Sequence, residues 1–458
     1  MMSNPWRGQR VVSGTGTSPL DSLVEQLWHH PVSAGQVRVV LNPAPDDGWR
    51  EVESYWVLPN ASRARLLVPL ATPRVTAASL LQYRSLRRGK VNTARILLGS
   101  LARLGLRPVQ DRLSVQERVV PLPGARLALP LAAVAARLQG GGTTAEEDAP
   151  AAGRAGRQLF ASIGIREGDN RKPTLQLVDG AGKPAGYAKL AWNESSSEFI
   201  RTEIGALSAV GGSAGAVRAP TLLAVGTRSA FPYLVTEPLP LDVRAVRGRV
   251  KGPTPQELFA LCPVSRVDRL SSTGHYQALG RRLAALDPAA EPQLAQALDR
   301  LAELLRERDP LLPVAERWHG DLVPWNTARD AAGLLWCWDW ESCEPDAVAG
   351  LDAVHWMFSV RRERGDGPMA TNLLRAMTDA GSFFEAAGLS REVWPVVAGV
   401  YAMVVAERAW TLAVRNGGWA SSWITVPELV NLLDAAHGLL VTPDAQGSMG
   451  ASPAAPAI

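Results

Sequence analysis

The chain has 458 residues, of which 46% are hydrophobic and 20% charged, and its formal net charge is +4. This is the composition of an ordinary globular protein long enough for two or three domains. So small a charge over such a length excludes a global affinity for nucleic acid or for a lipid surface.

Residues 1–138 predict a first α/β unit. Val37–Leu41, Glu53–Leu58 and Arg65–Pro69 are rich in strand formers. From Ala77 to Leu106 apolar residues recur at three- and four-residue steps, interrupted near Gly89, as in helices. Between Glu53 and Asp111 there are ten Arg or Lys, among them Arg84, Arg87, Arg88, Lys90 and Arg95, and no acid. That asymmetry suits either a surface for an anionic partner or a solvated helix face in a chain with 43 Arg and only five Lys. No aromatic residues alternate with the basic ones, so there is no clear nucleic-acid site.

Residues 139–156, rich in Gly, Ala and Thr with a short acidic patch, have the composition of a flexible linker. After them, Gln158–Ile165, Thr174–Asp179 and Gly186–Trp192 predict a meander with turns at Gly168–Asn170 and Asp179–Gly182. Leu222–Gly226 and Pro232–Glu237 complete a five-stranded sheet. Lys189, in the third strand, is a charge among strand formers. The helix that follows has Ser195 and Glu198 at capping-box spacing, and Ile200, Ile204 and Leu207 define its inward face. Glu203 falls on that face, and because an unpaired buried charge is expensive, Lys189 is its natural partner.

Helical patterns at Tyr276–Leu286 and Gln293–Arg308 precede two short strands, Pro313–Trp318 and Leu334–Trp338. Between these strands runs His319-Gly320-Asp321-Leu322-Val323-Pro324-Trp325-Asn326, and after them Asp339-Trp340-Glu341. An Asp that accepts a hydroxyl proton, with an Asn and a second Asp that hold Mg²⁺ against a nucleoside triphosphate, is the equipment of phosphoryl transfer.

H-G-D-x-x-P-x-N followed by a strand and D-W-E resembles the aminoglycoside phosphotransferase and choline-kinase-like family of small-molecule kinases. The resemblance covers about residues 157–440 and implies an α+β, two-lobed protein-kinase-like fold. Residues 157–241 would form a five-stranded antiparallel small lobe with its hinge, and residues 242–440 a mainly helical large lobe, preceded by a separate small α/β domain. It implies that Asp321 is the catalytic base, that His319 braces the loop, and that Asn326 and Asp339 hold Mg²⁺. Asp352 would support the loop by hydrogen-bonding its backbone. Lys189, paired with Glu203, would hold the phosphates of ATP or GTP, and backbone groups of the hinge Glu237–Leu241 would read the base. The turn at Gly168–Asn170, with Arg171 and Lys172 beside it, would lie over the phosphates, although G-x-G-x-x-G is absent.

Gly320 stands where protein kinases usually carry Arg, and no A-P-E follows Asp339, so the phosphorylated-segment switch is missing. The expected acceptor is therefore a small-molecule hydroxyl. An acidic set, Glu341, Glu344, Asp346 and Glu407, would suit an aminoglycoside, and the Trp-rich helices from Met369 to Leu440 suit either a substrate face or a core. The competing reading is a non-catalytic nucleotide-binding scaffold of the same fold, whose basic N-terminal domain binds an anionic partner.

Cys262, Cys337 and Cys343 are odd in number and lack C-x-x-C spacing, which argues against a disulfide framework or thiolate zinc site and for a reducing compartment. No apolar h-region follows Met1–Arg7, and the longest apolar run, Val393–Ala406, is 14 residues, short for a bilayer. A cytoplasmic protein without a membrane span is expected, ending in a disordered tail over 441–458 rich in Pro, Ala, Gly and Ser.

Overall fold

The computed structural model describes all residues except 1–9, 13–17, 84–85, 87–88, 121–128, 141–157, 166–171, 216, 248–249, 366, 420–422 and 442–458. Most of the expected linker, the turn at Gly168–Asn170 with Arg171, the arginines Arg84, Arg87 and Arg88, and the expected tail beyond 441 lie outside the described residues. Two compact units are present, Met1–Gly211 with Pro220–Val243, and Gly212–Ala219 with Arg244–Ile458.

The first unit runs β1 (Arg10–Val11), α1 (Pro19–Ser33), β2 (Val37–Leu41), β3 (Trp49–Leu58), β4 (Leu66–Pro69), α2 (Pro73–Leu81), α3 (Gly89–Arg103), β5 (Arg112–Arg118) and α4 (Pro130–Gly140). It continues with β6 (Leu159–Gly164), β7 (Thr174–Asp179), β8 (Pro184–Leu190) and α5 (Glu194–Val210). The chain then lends β9 (Gly212–Ala214) and β10 (Val217–Ala219) to the second unit and returns with β11 (Leu222–Arg228) and β12 (Phe231–Thr236).

All ten strands of the first unit form one sheet in the order β1-β2-β5-β3-β4-β6-β7-β8-β12-β11. The strands of the expected separate small α/β domain and those of the expected five-stranded lobe thus share one sheet. β4 pairs antiparallel with β6 through Leu66–Gly164 and Leu67–Ile163, because each strand satisfies the other's backbone groups, a bond that no side-chain pattern announces. Tyr55 and Trp56, consecutive on β3, point to opposite faces, as strand geometry requires. Tyr55 joins the core under α1 with Leu23, Leu27 and Trp28, which continues along the sheet to Tyr233 and Val235. Trp56 joins Val68, Leu80 and Ala102 under α2 and α3. Arg95, expected in a basic surface, is buried there and donates from Nε to Leu80 O at 3.2 Å and from Nη2 to Ser79 O at 2.7 Å. It satisfies carbonyls at the C-terminus of α2, where cations are favoured.

The second unit adds β13 (Arg244–Ala245), α6 (Pro255–Leu261), β14 (Val264–Arg269), α7 (Gly274–Ala284), α8 (Pro292–Arg308), β15 (Leu311–Trp318), β16 (Thr327–Arg329), β17 (Leu335–Cys337) and β18 (Glu344–Val348). Helices α9 (Leu351–Arg364), α10 (Met369–Asp379), α11 (Gly381–Ala386), α12 (Trp394–Arg415) and α13 (Val426–Val441) complete it. Its sheets are β13-β16-β17-β10-β9, with β10 and β17 parallel, and the antiparallel β14-β15-β18. Among the described residues one stretch, Arg391–Arg415, is long and apolar enough to cross a membrane, and 83% of its apolar window is buried inside the fold. It outlasts the 14-residue run because Glu407 is accommodated within the core, where Arg282 Nε lies at 3.4 Å and Thr411 Oγ1 donates at 3.1 Å.

Candidate active site

In the second unit, β15 ends at buried Trp318 and the chain turns sharply through His319 and Gly320. Asp352, buried in the first turn of α9, accepts the backbone N–H of His319 at 2.7 Å and of Gly320 at 3.0 Å, one on each carboxylate oxygen. Cys262 Sγ, 3.6 Å from the same carboxylate, adds a weak donor. Gly320 has φ +80°, and a Cβ there would sit 2.0 Å from Ser342 O, so the turn admits no side chain at all. The absence of Arg at this position thus has a local steric cause. Arg408 Nη1 donates to Gly320 O, and its guanidinium lies 4.9 Å over the Trp318 ring.

His319 is buried, and its ring Nδ1 accepts the Asp321 N–H at 3.2 Å. Nε2 therefore carries the proton and donates to Trp338 O at 3.2 Å. Burial lowers its pKa, so the ring holds the turn as a neutral brace.

Asp321 keeps 36% of its side chain exposed, which leaves it within reach of a substrate. Asn326 Nδ2 donates to Asp321 Oδ2 at 2.9 Å and to its carbonyl at 3.0 Å. The other carboxylate oxygen, Oδ1, lies 3.3 Å from His355 Nε2, and His355 Nδ1 lies 3.0 Å from the Tyr401 hydroxyl. Sequence reasoning did not single out His355. Its signal was its position three residues after Asp352, on the same helix face.

Trp338 N–H donates to Asn326 O at 3.1 Å, which sets Asp339, the next residue, at the mouth of the same β16–β17 hairpin. Asp339 has φ 72° and ψ 56°, a left-handed conformation that costs a non-glycine residue about 1–3 kcal/mol and tends to persist at functional sites. With its Nδ2 engaged by Asp321, Asn326 has its Oδ1 to offer a ligand. An amide oxygen and a carboxylate are the hard donors that Mg²⁺ takes, so the residues present fit that ion.

In the first unit, Lys189 stands on β8 between its neighbours Thr174 on β7 and Leu234 on β12. Its Nζ donates to both carboxylate oxygens of Glu203 on α5, at 2.7 and 2.6 Å, and Glu203 is 2% exposed. The helix carrying Glu203 starts two residues earlier than the Ser195 spacing suggests. Asn193 is the N-cap and forms the capping box with Ser196, asparagine being among the strongest caps. Glu237 is tied to Thr221, whose N–H and Oγ1 donate to Glu237 Oε1 at 2.9 and 3.0 Å. Tyr83 donates its hydroxyl to Leu239 O at 2.7 Å, so a residue of the N-terminal segment secures the Glu237–Leu241 stretch. Lys172 is buried with Nζ 4.0 Å over the Phe199 ring, a packed position rather than an exposed one beside a turn.

Three of the four residues of the acidic set face arginines. Glu344 accepts from Arg282 at 2.8 and 3.2 Å, Glu407 faces the same guanidinium, and Asp346 is engaged by Arg266.

No family model and no curated protein matches the chain. Among solved structures it is similar to a protein assigned as a fructosamine-3-kinase from Haemophilus somnus 129PT, with 13% identity and a TM-score of 0.38 over 61% of this chain and 91% of that one. It is also similar to a choline/ethanolamine kinase family protein from Mesorhizobium loti, with 16% identity and a TM-score of 0.35 over 64% and 91% of the two chains. Likeness at this level assigns neither fold family nor activity, and the functional reading rests on the site itself.

Proposed function

We propose that this protein is a nucleotide-dependent phosphotransferase that moves the γ-phosphoryl group of ATP or GTP to a hydroxyl of a small molecule. The observation that carries the reading is the Asp321 loop. Its carboxylate is partly exposed and gripped by Asn326, while two consecutive backbone N–H groups behind it are fixed on buried Asp352. A surface turn needs no such fixation, whereas a general base does, because proton transfer demands a carboxylate held within hydrogen-bond reach of its target.

In this reading Asp321 orients the acceptor hydroxyl and takes its proton as the new O–P bond forms and the bond from the γ-phosphorus to the bridging oxygen breaks. Asn326 and Asp339 would hold Mg²⁺, which when bound neutralises charge on the phosphate oxygens. Lys189, aimed by Glu203, would meet the phosphates as a point charge. Base recognition falls to backbone groups of Glu237–Leu241.

The test is consumption of ATP or GTP by the full-length protein with Mg²⁺ against sugars, amino alcohols, hydroxy acids and aminoglycosides. Turnover that disappears in Asp321→Asn supports the reading. Equal consumption by that variant refutes it.

A further inference from the structure

The helix that brings His355 to Asp321 carries an arginine on the same face. His355 and Arg362 are seven residues apart on α9, which puts them on one face and about 10 Å apart along the axis. His355 touches the Asp321 carboxylate. The half-buried Arg362 lies with its guanidinium 4.4 Å over the ring of Trp423, which is 42% exposed. Its neighbour Arg361 is neutralised by Asp379, but among the described residues Arg362 has no ion pair with a carboxylate. Of the expected acidic set, Glu344 and Glu407 are held by Arg282 and Asp346 by Arg266.

We infer that the acceptor carries an anionic group, a carboxylate or a phosphate, received by Arg362 on the Trp423 ring while its hydroxyl faces Asp321. This rests on the phosphotransferase reading and names its substrate class. A guanidinium stacked on an indole is oriented by the ring and presents its N–H edge outward, the arrangement suited to planar or tetrahedral oxyanions. A cationic acceptor would be repelled by Arg362, and a neutral one would leave its N–H edge unused.

The experiment uses a matched set of glucose, gluconate, glucose 6-phosphate and glucosamine, with the full-length protein and Mg²⁺–ATP or Mg²⁺–GTP. Both kcat/KM and the equilibrium Kd by calorimetry are read for wild type and Arg362→Gln. The expected result is preference for gluconate or glucose 6-phosphate, which also separates carboxylate from phosphate. In Arg362→Gln that preference over glucose should fall about 10- to 100-fold, the scale of a lost charge-assisted hydrogen bond. Preference for glucose or glucosamine overturns the inference and leaves the phosphotransferase reading standing. Anion binding that depends on Arg362 but yields no phosphorylation upholds the site and overturns that reading. No binding preference for the anions, or one indifferent to Arg362→Gln, overturns the inference.

Discussion

His355 Nε2 lies 3.3 Å from Asp321 Oδ1, while Asn326 donates to Oδ2 of the same carboxylate at 2.9 Å. The candidate base is thus held at both oxygens by side chains from different elements, and His355 is itself anchored by Tyr401 at 3.0 Å. The carboxylate has its direction fixed before any substrate arrives.

His355→Leu should therefore lower kcat about 10-fold, the low end of what a hydrogen bond to a charged group contributes, with a much smaller change in KM. His355→Gln, which retains an N–H donor, should recover much of the loss. Steady-state kinetics on the two variants decide it, since a purely structural residue would depress stability rather than split kcat from KM.

Asp321→Asn should bind nucleotide as the wild type does and lose about 10²- to 10⁴-fold in turnover, the range of general-base contributions. Nucleotide affinity by calorimetry beside steady-state rates checks both halves.

Lys189 and Glu203 should behave as a unit. The carboxylate is buried and both of its oxygens receive the ammonium, so Lys189→Ala, Glu203→Ala and the double variant should show a coupling of about 0.5–3 kcal/mol in nucleotide affinity. Additive effects would mean that the contact has no part in binding.

Removing a hard oxygen should raise the Mg²⁺ requirement. Asp339→Ala should do so more than Asn326→Ala, because it also removes a negative charge. Turnover against Mg²⁺ concentration measures this, and an unchanged curve for Asp339→Ala would count against metal binding there.

Glu53 offers a test of stability against pH. The residue as a whole is only partly buried, but the surroundings of its carboxyl desolvate it and push its pKa up to about 7, opposed by the Tyr55 hydroxyl donating at 2.8 Å. The unfolded carboxyl ionises near 4.5, so between about 4.5 and 7 the folded state holds the extra proton and stability falls as pH rises. The contribution is fully present below 4.5 and lost above 7. Melting temperatures from pH 5 to 8 should decline less steeply in Glu53→Gln than in wild type.

The contacts of the site were legible where chemistry restricts residue types over short spans. Asp321 and Asn326 lie five residues apart in one loop, and Lys189 and Glu203 lie on adjacent elements, a strand and the helix that follows it. His355 was not legible, because its meeting with Asp321 is made by the packing of α9 and depends on no local pattern. Strand β5 was missed for a related reason. Ser114 and Gln116 are buried beside Leu113 and Val115, and Ser114 is satisfied by Glu51 across the sheet, so its alternation of apolar and polar residues does not separate a buried from an exposed face. The link of β4 to β6 uses main-chain groups, which every sequence possesses equally.

That link has a mechanical consequence for any shortened version of the protein. A chain begun at residue 157 would keep β6 but strip it of β4, leaving the amide and carbonyl groups that β4 covers at Ile163–Ile165 as a raw border for another copy to zip onto. The N-terminal strands act as a permanent selvedge for the sheet that bears Lys189, and heat should unravel both parts of that fabric in one cooperative event.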